Sequence, residues 1–389
     1  MKTRYIIALL IALCCSLQLS AQNIFSRFYK NVLTKPRNVD SSYVYQHHLG
    51  FSPSFTSNFS SQSVSMTTVL KKTDILYDEN DNPLLDEYGD VTYFDYSFNL
   101  VDKMQESLSK RVGLFLGVGR MGLGWGIEVA PDSTQSSQNF QFSFRGNKMG
   151  LNINYLSFEQ QVVERQFFLP DSIALGEGRD TFPGNHLSRL TVEGYYVLNP
   201  RRFAYPPGIA GNMVQLKSAG SWMLAARFHK SNFAVNPDEG FASFGTTQLA
   251  LGCGYSYTWV PFSRPPRKDG KGMYTVFING TLIPMLTLYN YLSIDIYDNV
   301  PGITTPKEGS FCWPTPNLLA NATIGVSWSR FYLGAQLNYN VFHFNTRNSI
   351  NSNPFELDDD EFSPYGGSTL NVMGVFYEWN IGLKFQVCF

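Results

Sequence analysis

The sequence predicts an all-β fold, an antiparallel up-and-down transmembrane β-barrel of about 12–14 strands, preceded by a cleaved signal peptide. Three observations predict it: an export signal at the N-terminus, a period of two along many segments, and an aromatic C-terminal strand. The composition agrees, because aromatic residues make up 15% and charged residues only 16% of the 389 residues, while the mean hydropathy is −0.15. Transmembrane helices would be more apolar, whereas a barrel alternates polar and apolar side chains.

The N-terminus has the layout of a secretory signal peptide. Lys2 and Arg4 form a positive region, an apolar run covers Tyr5–Leu13, and the small residue Ala21 ends the segment. This run is too short for a transmembrane helix, which needs roughly 20 apolar residues. We therefore divide the chain into a signal peptide (1–21), a short periplasmic lead-in (22–42) and an outer-membrane β-barrel (43–389).

The C-terminal strand has the clearest period of two. Odd positions from Val375 to Phe389 are apolar and even positions are mostly polar, which is typical of a strand with one lipid-facing side. Phe385, Val387 and Phe389 resemble the signal that the barrel-insertion machinery reads, so we expect this machinery and outer-membrane lipid as partners. A strand of a soluble secreted β-sandwich is the alternative. Similar alternation recurs at 140–145, 149–155, 249–259, 318–329 and 331–341.

The connections between these segments predict the topology. Two-residue turns at Gly146–Asn147 and Ser329–Arg330 indicate tight hairpins, and outer-membrane barrels have short periplasmic turns and longer outside loops. Segments 199–213 and 260–272 fit this scheme poorly, because they fall on the periplasmic side but are long and proline-rich. The acidic segment 74–90 also fits poorly, since a strand count from the C-terminus places it on the periplasmic side. Long outside loops are expected at 159–186, 229–245, 287–316 and 343–369.

Seven charged residues fall in the phase that should face the barrel lumen. An Arg or Lys that faces lipid at mid-membrane costs roughly 2–4 kcal/mol, so these charges belong inside. They either line a narrow polar path or pair with one another and block it. Because wide channels need roughly 16 strands, the strand number favours a narrow or gated lumen. The candidates are Glu128, Arg145, Glu193, Lys217, Arg227, Glu378 and Lys384.

The cysteines predict neither a metal site nor a disulfide framework. Cys14 and Cys15 leave a lipoprotein signal open, although the residue before them is not small. The other three, Cys253, Cys312 and Cys388, are far apart and lack metal-ligand spacing. We therefore expect no metal and no cofactor.

A hydrolase of lipid or lipopolysaccharide is the alternative activity. It would need a histidine beside a serine, and the chain has no Gly-x-Ser-x-Gly elbow. We consider His343 for that role because it falls in the outward phase of its strand. The run Asp358–Glu361 could bind calcium, but a solvated loop is the better interpretation. The net charge of −1 offers no basic field for nucleic acid.

The segment Leu251–Leu286 contains the aromatic, glycine-rich run Gly252–Pro261 and a strand through Thr281–Pro284. It resembles a domain-of-unknown-function family of uncharacterised outer-membrane barrels, typical of gut-dwelling Gram-negative bacteria. The resemblance covers Tyr43–Phe389 and implies fold and location, without catalytic residues. We expect a barrel that is not an enzyme, and that either passes a small or hydrophobic solute of unknown identity or has a structural role at the surface.

Overall fold

The computed structural model describes much of the chain between residues 38 and 388. The described ranges are 38–47, 51–75, 83–85, 88–89, 91–105, 109–118, 121–129, 137–168, 174–205, 213–234, 242–267, 272–296, 308–311, 314–345, 355–357 and 368–388. The signal peptide and Phe389 lie outside them.

The regular elements of the described ranges are all strands. In chain order they are β1 (Val44–Gln46), β2 (Phe51–Ile75), β3 (Tyr93–Gln105), β4 (Ser109–Val118), β5 (Met121–Glu128), β6 (Ser137–Arg145), β7 (Met149–Phe168), β8 (Ala174–Val197), β9 (Met213–Gln215), β10 (Ala219–Ala234), β11 (Ala242–Arg264), β12 (Tyr274–Ile296), β13 (Glu308–Phe311), β14 (Pro316–Trp328), β15 (Phe331–Asn345), β16 (Phe355–Leu357) and β17 (Ser368–Val387). No helix in the described part of the chain is long and apolar enough to span a membrane.

The sheet closes into a barrel, as predicted. The last long strand, β17, pairs with β2 along its length, from Ser368 opposite Lys72 to Gln386 opposite Ser54. We name the end with the short hairpin at Ser329–Arg330 the turn end and the opposite end the loop end. At the turn end the ring has twelve strands, the lower limit of the expected number: β2, β4, β5, β6, β7, β8, β10, β11, β12, β14, β15 and β17.

The barrel is narrower at the loop end than at the turn end. Strands β3 and β4 are two parts of one path, because both run antiparallel to β2. The hairpin β5–β6 separates β4 from β7 only in the turn-end half. Beyond it β3 pairs directly with β7, from Gln105 opposite Val162 to Asn99 opposite Phe168. Losing two strands reduces the diameter, which grows roughly linearly with strand number.

The shared path of β3 and β4 along β2 corrects one prediction about the topology. Because β3 and β4 run in the same direction, the connection from Ile75 to Tyr93 lies at the loop end, not on the short-turn side. Two strands also extend into a segment predicted to be a loop, since β7 ends at Phe168 and β8 begins at Ala174.

Polar and apolar side chains alternate between the two faces of the wall. On β11, Leu249, Leu251 and Trp259 are exposed outside, whereas Gln248 and Ser256 are buried inside. The apolar outer stretch from Leu249 to Trp259 has the length of a membrane-crossing strand, about 9–11 residues. Aromatic side chains are exposed on the outer face near the turn end: Phe262, Tyr274, Trp328, Phe331 and Phe385.

The turn end is covered by two segments of the chain. Strand β1 pairs with β9 in a separate two-stranded sheet. The side chain of Gln215 joins the two segments, because its Nε2 donates to the carbonyls of Tyr43 at 3.2 Å and Arg202 at 2.7 Å. The described part of the predicted connection, residues 199–205, therefore lies at the mouth of the barrel instead of forming a short turn.

Candidate functional site

A cavity of about 250 Å³ occupies the lumen in the turn-end half of the barrel. Inward side chains of β2, β4, β6, β7, β8, β14, β15 and β17 surround it. Arg111, Arg145, Arg189 and Lys384 supply positive charge, and Glu193 and Glu378 supply negative charge. Ten carboxamides complete the polar lining: Asn58, Asn139, Gln141, Asn152, Asn154, Asn321, Gln336, Asn338, Asn340 and Asn380.

A chain of hydrogen bonds crosses the lumen at the loop-end side of this cavity. On one wall, Nη2 of Arg227 in β10 lies 2.7 Å from Oε1 of Glu193 in β8. The same nitrogen donates to Oδ1 of Asn340 on the opposite wall at 3.0 Å. Nδ2 of Asn340 donates to Oε2 of Glu378 at 3.0 Å.

Arg189 completes the crossing from β17 back to β8. Its Nη2 donates to Oε1 of Glu378 at 2.5 Å, and its side chain is only 2% exposed. Strands β8 and β10 are separated from β15 and β17 by β11, β12 and β14 on one side. The five side chains Arg189, Glu193, Arg227, Asn340 and Glu378 therefore form a polar belt across the interior, and we refer to them as the belt.

Aromatic rings reinforce the belt. The ring of His229 stacks on Phe342 with 4.3 Å between ring centroids and meets Phe376 edge-on at 5.9 Å. The guanidinium of Arg227 lies 4.9 Å from the centroid of Phe342. Because these contacts also join β10 to β15 and β17, they narrow the lumen at the same level.

Tyr205 bounds the cavity at the turn end. It belongs to the covering segment and is only 8% exposed. Its hydroxyl oxygen accepts a hydrogen bond from Nδ2 of Asn321 at 3.2 Å, and its ring packs edge-on against Tyr195 at 5.0 Å. Phe203, which is fully buried, lies beside it. The cavity is therefore a chamber between the belt and Tyr205.

Phe115 provides an apolar surface inside the chamber. Its centroid lies 4.8 Å from the guanidinium carbon of Arg145 and 5.5 Å from Nζ of Lys384. A Cβ at Gly122 would stand 2.1 Å from this ring and one at Gly124 would stand 2.8 Å from it. The two glycines of β5 therefore leave the space that the ring occupies.

The structure brings most of the predicted lumen residues together. Arg145, Glu193, Glu378 and Lys384 line the chamber, and Arg227 belongs to the belt. Two of the predicted lumen residues are found neither in the belt nor among the described lining residues. Lys217 is exposed at the turn end, where its ammonium lies 5.4 Å from the ring centroid of Tyr43, and the side chain of Glu128 is outside the described part, although its backbone pairs with Arg111.

Sequence reasoning missed Arg111, Arg189 and Tyr205. The first two had a usable signal: Arg189 shares its phase with Glu193 on β8, and Arg111 shares its phase with the inward Phe115 on β4. Tyr205 had none, because it lies in a connection and no alternation indicates its direction.

The residues considered for other chemistry do not converge in the described structure. Nδ1 of His343 lies 2.6 Å from the carbonyl oxygen of Pro316, and no described Ser or carboxylate is hydrogen-bonded to the ring. The described residues contain no group of three or more side chains able to hold a metal ion. Asp358–Glu361 and Cys312 lie outside the described residues; Cys253 is exposed and Cys388 is buried, both as free thiols.

Comparison with known proteins gives a family match for part of the chain. Residues 109–264 match the family described as domain of unknown function DUF4421, which confirms the predicted resemblance to a domain-of-unknown-function family over that segment. The matched segment contains β4 to β8, β10 and β11, and therefore Arg111, Arg145, Arg189 and Glu193 of the chamber. None of the curated proteins matches the sequence.

Three solved barrels are distantly similar. The outer membrane protease OmpT from Escherichia coli is 10% identical, with 86% of this chain and 96% of that chain covered and a TM-score of 0.33. The toluene transporter TodX of P. putida is 8% identical (85% and 90% covered, TM-score 0.17). A FadL homologue of Pseudomonas aeruginosa is 9% identical (85% and 90% covered, TM-score 0.15). These likenesses are too distant to assign an activity.

Proposed function

We propose that this chain is an outer-membrane β-barrel without enzymatic activity, exported by its signal peptide, that passes a small polar solute through a gated lumen. Its outer face supports the membrane location. Large apolar side chains are exposed around the ring while Ser, Thr, Asn and Arg are buried inside. A soluble sandwich has the opposite arrangement, and contiguous apolar patches above a few hundred Å² are rare on soluble monomers.

The observation that carries the gating proposal is the belt. Arg189 bonds to Glu378 across the lumen, and Asn340 links Glu378 to Arg227; these bonds support a lumen that is closed at that level. The closure is made by side chains and not by backbone, and changes of side-chain rotamer would open it while the wall stays intact. The chamber below the belt is polar, so a small polar solute fits the lumen better than a hydrophobic one.

Single-channel conductance in a planar bilayer tests the proposal. The refolded mature chain, residues 22–389, should be closed for most of the time, and Glu378→Ala should produce frequent, discrete openings because it removes the partner of both Arg189 and Asn340. Arg330→Ala is the control, since Arg330 is an exposed charged residue at the turn end, away from the belt, and its change should leave the conductance unchanged.

The fold of each sample is checked by its heat-dependent mobility on a gel, because folded barrels resist detergent until they are boiled. If wild type and Glu378→Ala are both silent while both are folded, the lumen is not a passage and the proposal fails. Equal steady conductance in both would show that the belt is not a gate.

A further inference from the structure

We infer that the chamber between the belt and Tyr205 is a binding site for one small, hydroxyl-bearing organic anion, of which a sugar acid is the type. The inference rests on the proposed passage of a polar solute and names the chemistry of that solute. Its support comes from the charge, the hydrogen-bonding groups and the size of the chamber.

The charge around the chamber is positive. Arg111, Arg145, Arg189 and Lys384 line it, and Arg227 stands in the belt. Against these five cations the lining holds Glu193 and Glu378. Among the described side chains the cations therefore exceed the acids by three, and such an excess of buried charge attracts a compensating anion.

The carboxamides give the chamber its second property. An amide side chain offers both a donor and an acceptor, so the ten Asn and Gln residues of the lining match hydroxyl groups, which also donate and accept. Oδ1 of Asn139, Asn152 and Asn154 is buried and has no partner among the described protein atoms. Buried polar atoms without a partner are rare, and three neighbouring acceptors are suited to hydroxyl donors of a ligand.

Arg189 contributes donors to the same space. It uses Nη2 for Glu378, while its Nε and Nη1 are buried without a partner among the described residues. A guanidinium presents its donors in a planar fork that matches a carboxylate or phosphate. The chamber therefore offers anion donors beside the three amide oxygens.

The size and the walls of the chamber restrict the ligand to a small molecule. Pockets for drug-sized ligands measure roughly 300–1,000 Å³, so a cavity of about 250 Å³ suits one smaller solute, of monosaccharide size. Phe115 gives this solute an apolar face, held between Arg145 and Lys384. Belt residues line this space on the loop-end side, and Tyr205 lines it from the covering segment.

Isothermal titration calorimetry on the refolded mature chain in detergent tests the inference with defined probes. Glucuronate and glucose 6-phosphate supply the anion as carboxylate and as phosphate, and glucose is the neutral control. We expect at least one of the anions to bind at least tenfold more tightly than glucose. The preferred anion distinguishes a sugar acid from a sugar phosphate.

Lys384→Gln should weaken binding of the preferred anion at least tenfold, because it removes a cation of the chamber. Arg330→Gln is the matched control: Arg330 is an exposed cation at the turn end, and its change should leave the affinity unaltered. Asn154→Ala, which removes an amide without changing charge, is the second variant if Lys384→Gln does not fold; it should weaken the anion and glucose equally.

Glucose binding as tightly as both anions, no binding of any probe by the folded protein, or equal losses in Lys384→Gln and Arg330→Gln would each overturn the inference. Calorimetry does not depend on conduction. Anion binding by a barrel that stays silent in all variants would refute the passage and keep the site, whereas an opening barrel that binds no probe would keep the passage and refute the site.

Discussion

Two walls of the barrel interior are both polar, yet they differ in how their polar groups are satisfied. On the wall formed by β10, β11, β12 and β14, which we name the ladder wall, short side chains bond across neighbouring strands. Oγ of Ser256 lies 2.6 Å from Oγ1 of Thr281, and Nδ2 of Asn279 donates to Ser256 at 3.2 Å and to Oγ1 of Thr258 at 2.9 Å. These polar groups are hydrogen-bonded to one another.

The opposite wall, formed by β4 to β8 and β17 and named the chamber wall, carries long charged side chains and amides directed at open space. Several of its buried polar atoms have no described partner, among them Oδ1 of Asn139, Asn152 and Asn154. On the ladder wall the described exceptions are Oε1 of Gln248 and two nitrogens of Arg227. A polar lumen is therefore insufficient to indicate a site; unsatisfied groups that surround a cavity are the better indicator.

The largest loss of stability should come from breaking the ion pair between Arg189 and Glu378, which joins β8 to β17 across the lumen. Arg189→Ala leaves Glu378 without its arginine partner, and breaking a buried ion pair from one side typically costs roughly 3–5 kcal/mol. We expect a large drop in the temperature at which the folded band on a gel is lost. The double variant Arg189→Met/Glu378→Gln should recover much of it, and a double variant no more stable than Arg189→Ala would contradict the role given to the pair.

A smaller loss of stability without any change of function is expected on the ladder wall. Asn279→Ala removes the donor shared by Ser256 and Thr258, and leaving such buried partners unsatisfied costs about 1–3 kcal/mol. Chemical denaturation measures the loss, while conductance and anion affinity should equal those of wild type. A changed affinity would mean that the two walls are not functionally distinct.

The smallest effect on stability is expected from Asn154→Ala on the chamber wall. The Oδ1 of Asn154 has no described partner to lose, so the free energy of unfolding should change by less than about 1 kcal/mol, while binding of the preferred anion weakens. Asn279→Ala should thus lower stability without changing anion binding, and Asn154→Ala should weaken anion binding with little change in stability. If Asn154→Ala is destabilised as much as Asn279→Ala, the two walls do not differ in this way.

The sequence was sufficient to predict the barrel and many of its inward-facing residues, because both depend on the alternation of odd and even positions along each strand. Once the outward phase of a strand is known, residues such as Glu193 and Glu378 must point inward, and Arg189 follows from the same rule. This alternation does not indicate which inward side chains meet across the lumen. The approach of Arg227 to Asn340 depends on the closure and stagger of the whole ring, and these are set by pairings between strands distant in sequence.

The strand number was harder to predict for a related reason. Strands β3 and β4 follow one path along β2, and the hairpin β5–β6 occupies only half the height of the wall. Local alternation gives no measure of how far a hairpin extends along its neighbours. The covering segment with Tyr205 was missed because a connection has no periodicity from which its path could be inferred.

The half-height hairpin β5–β6 also accounts for the position of the chamber. Since barrel diameter grows roughly linearly with strand number, a cross-section enclosed by twelve strands has about 1.4 times the area of one enclosed by ten. Side chains of ordinary size that fill the narrower section leave unoccupied space in the wider one. The chamber is therefore a product of wall geometry first and of side-chain identity second: Met121–Glu128 and Ser137–Arg145 create the room, and the charges and amides give it a polar lining.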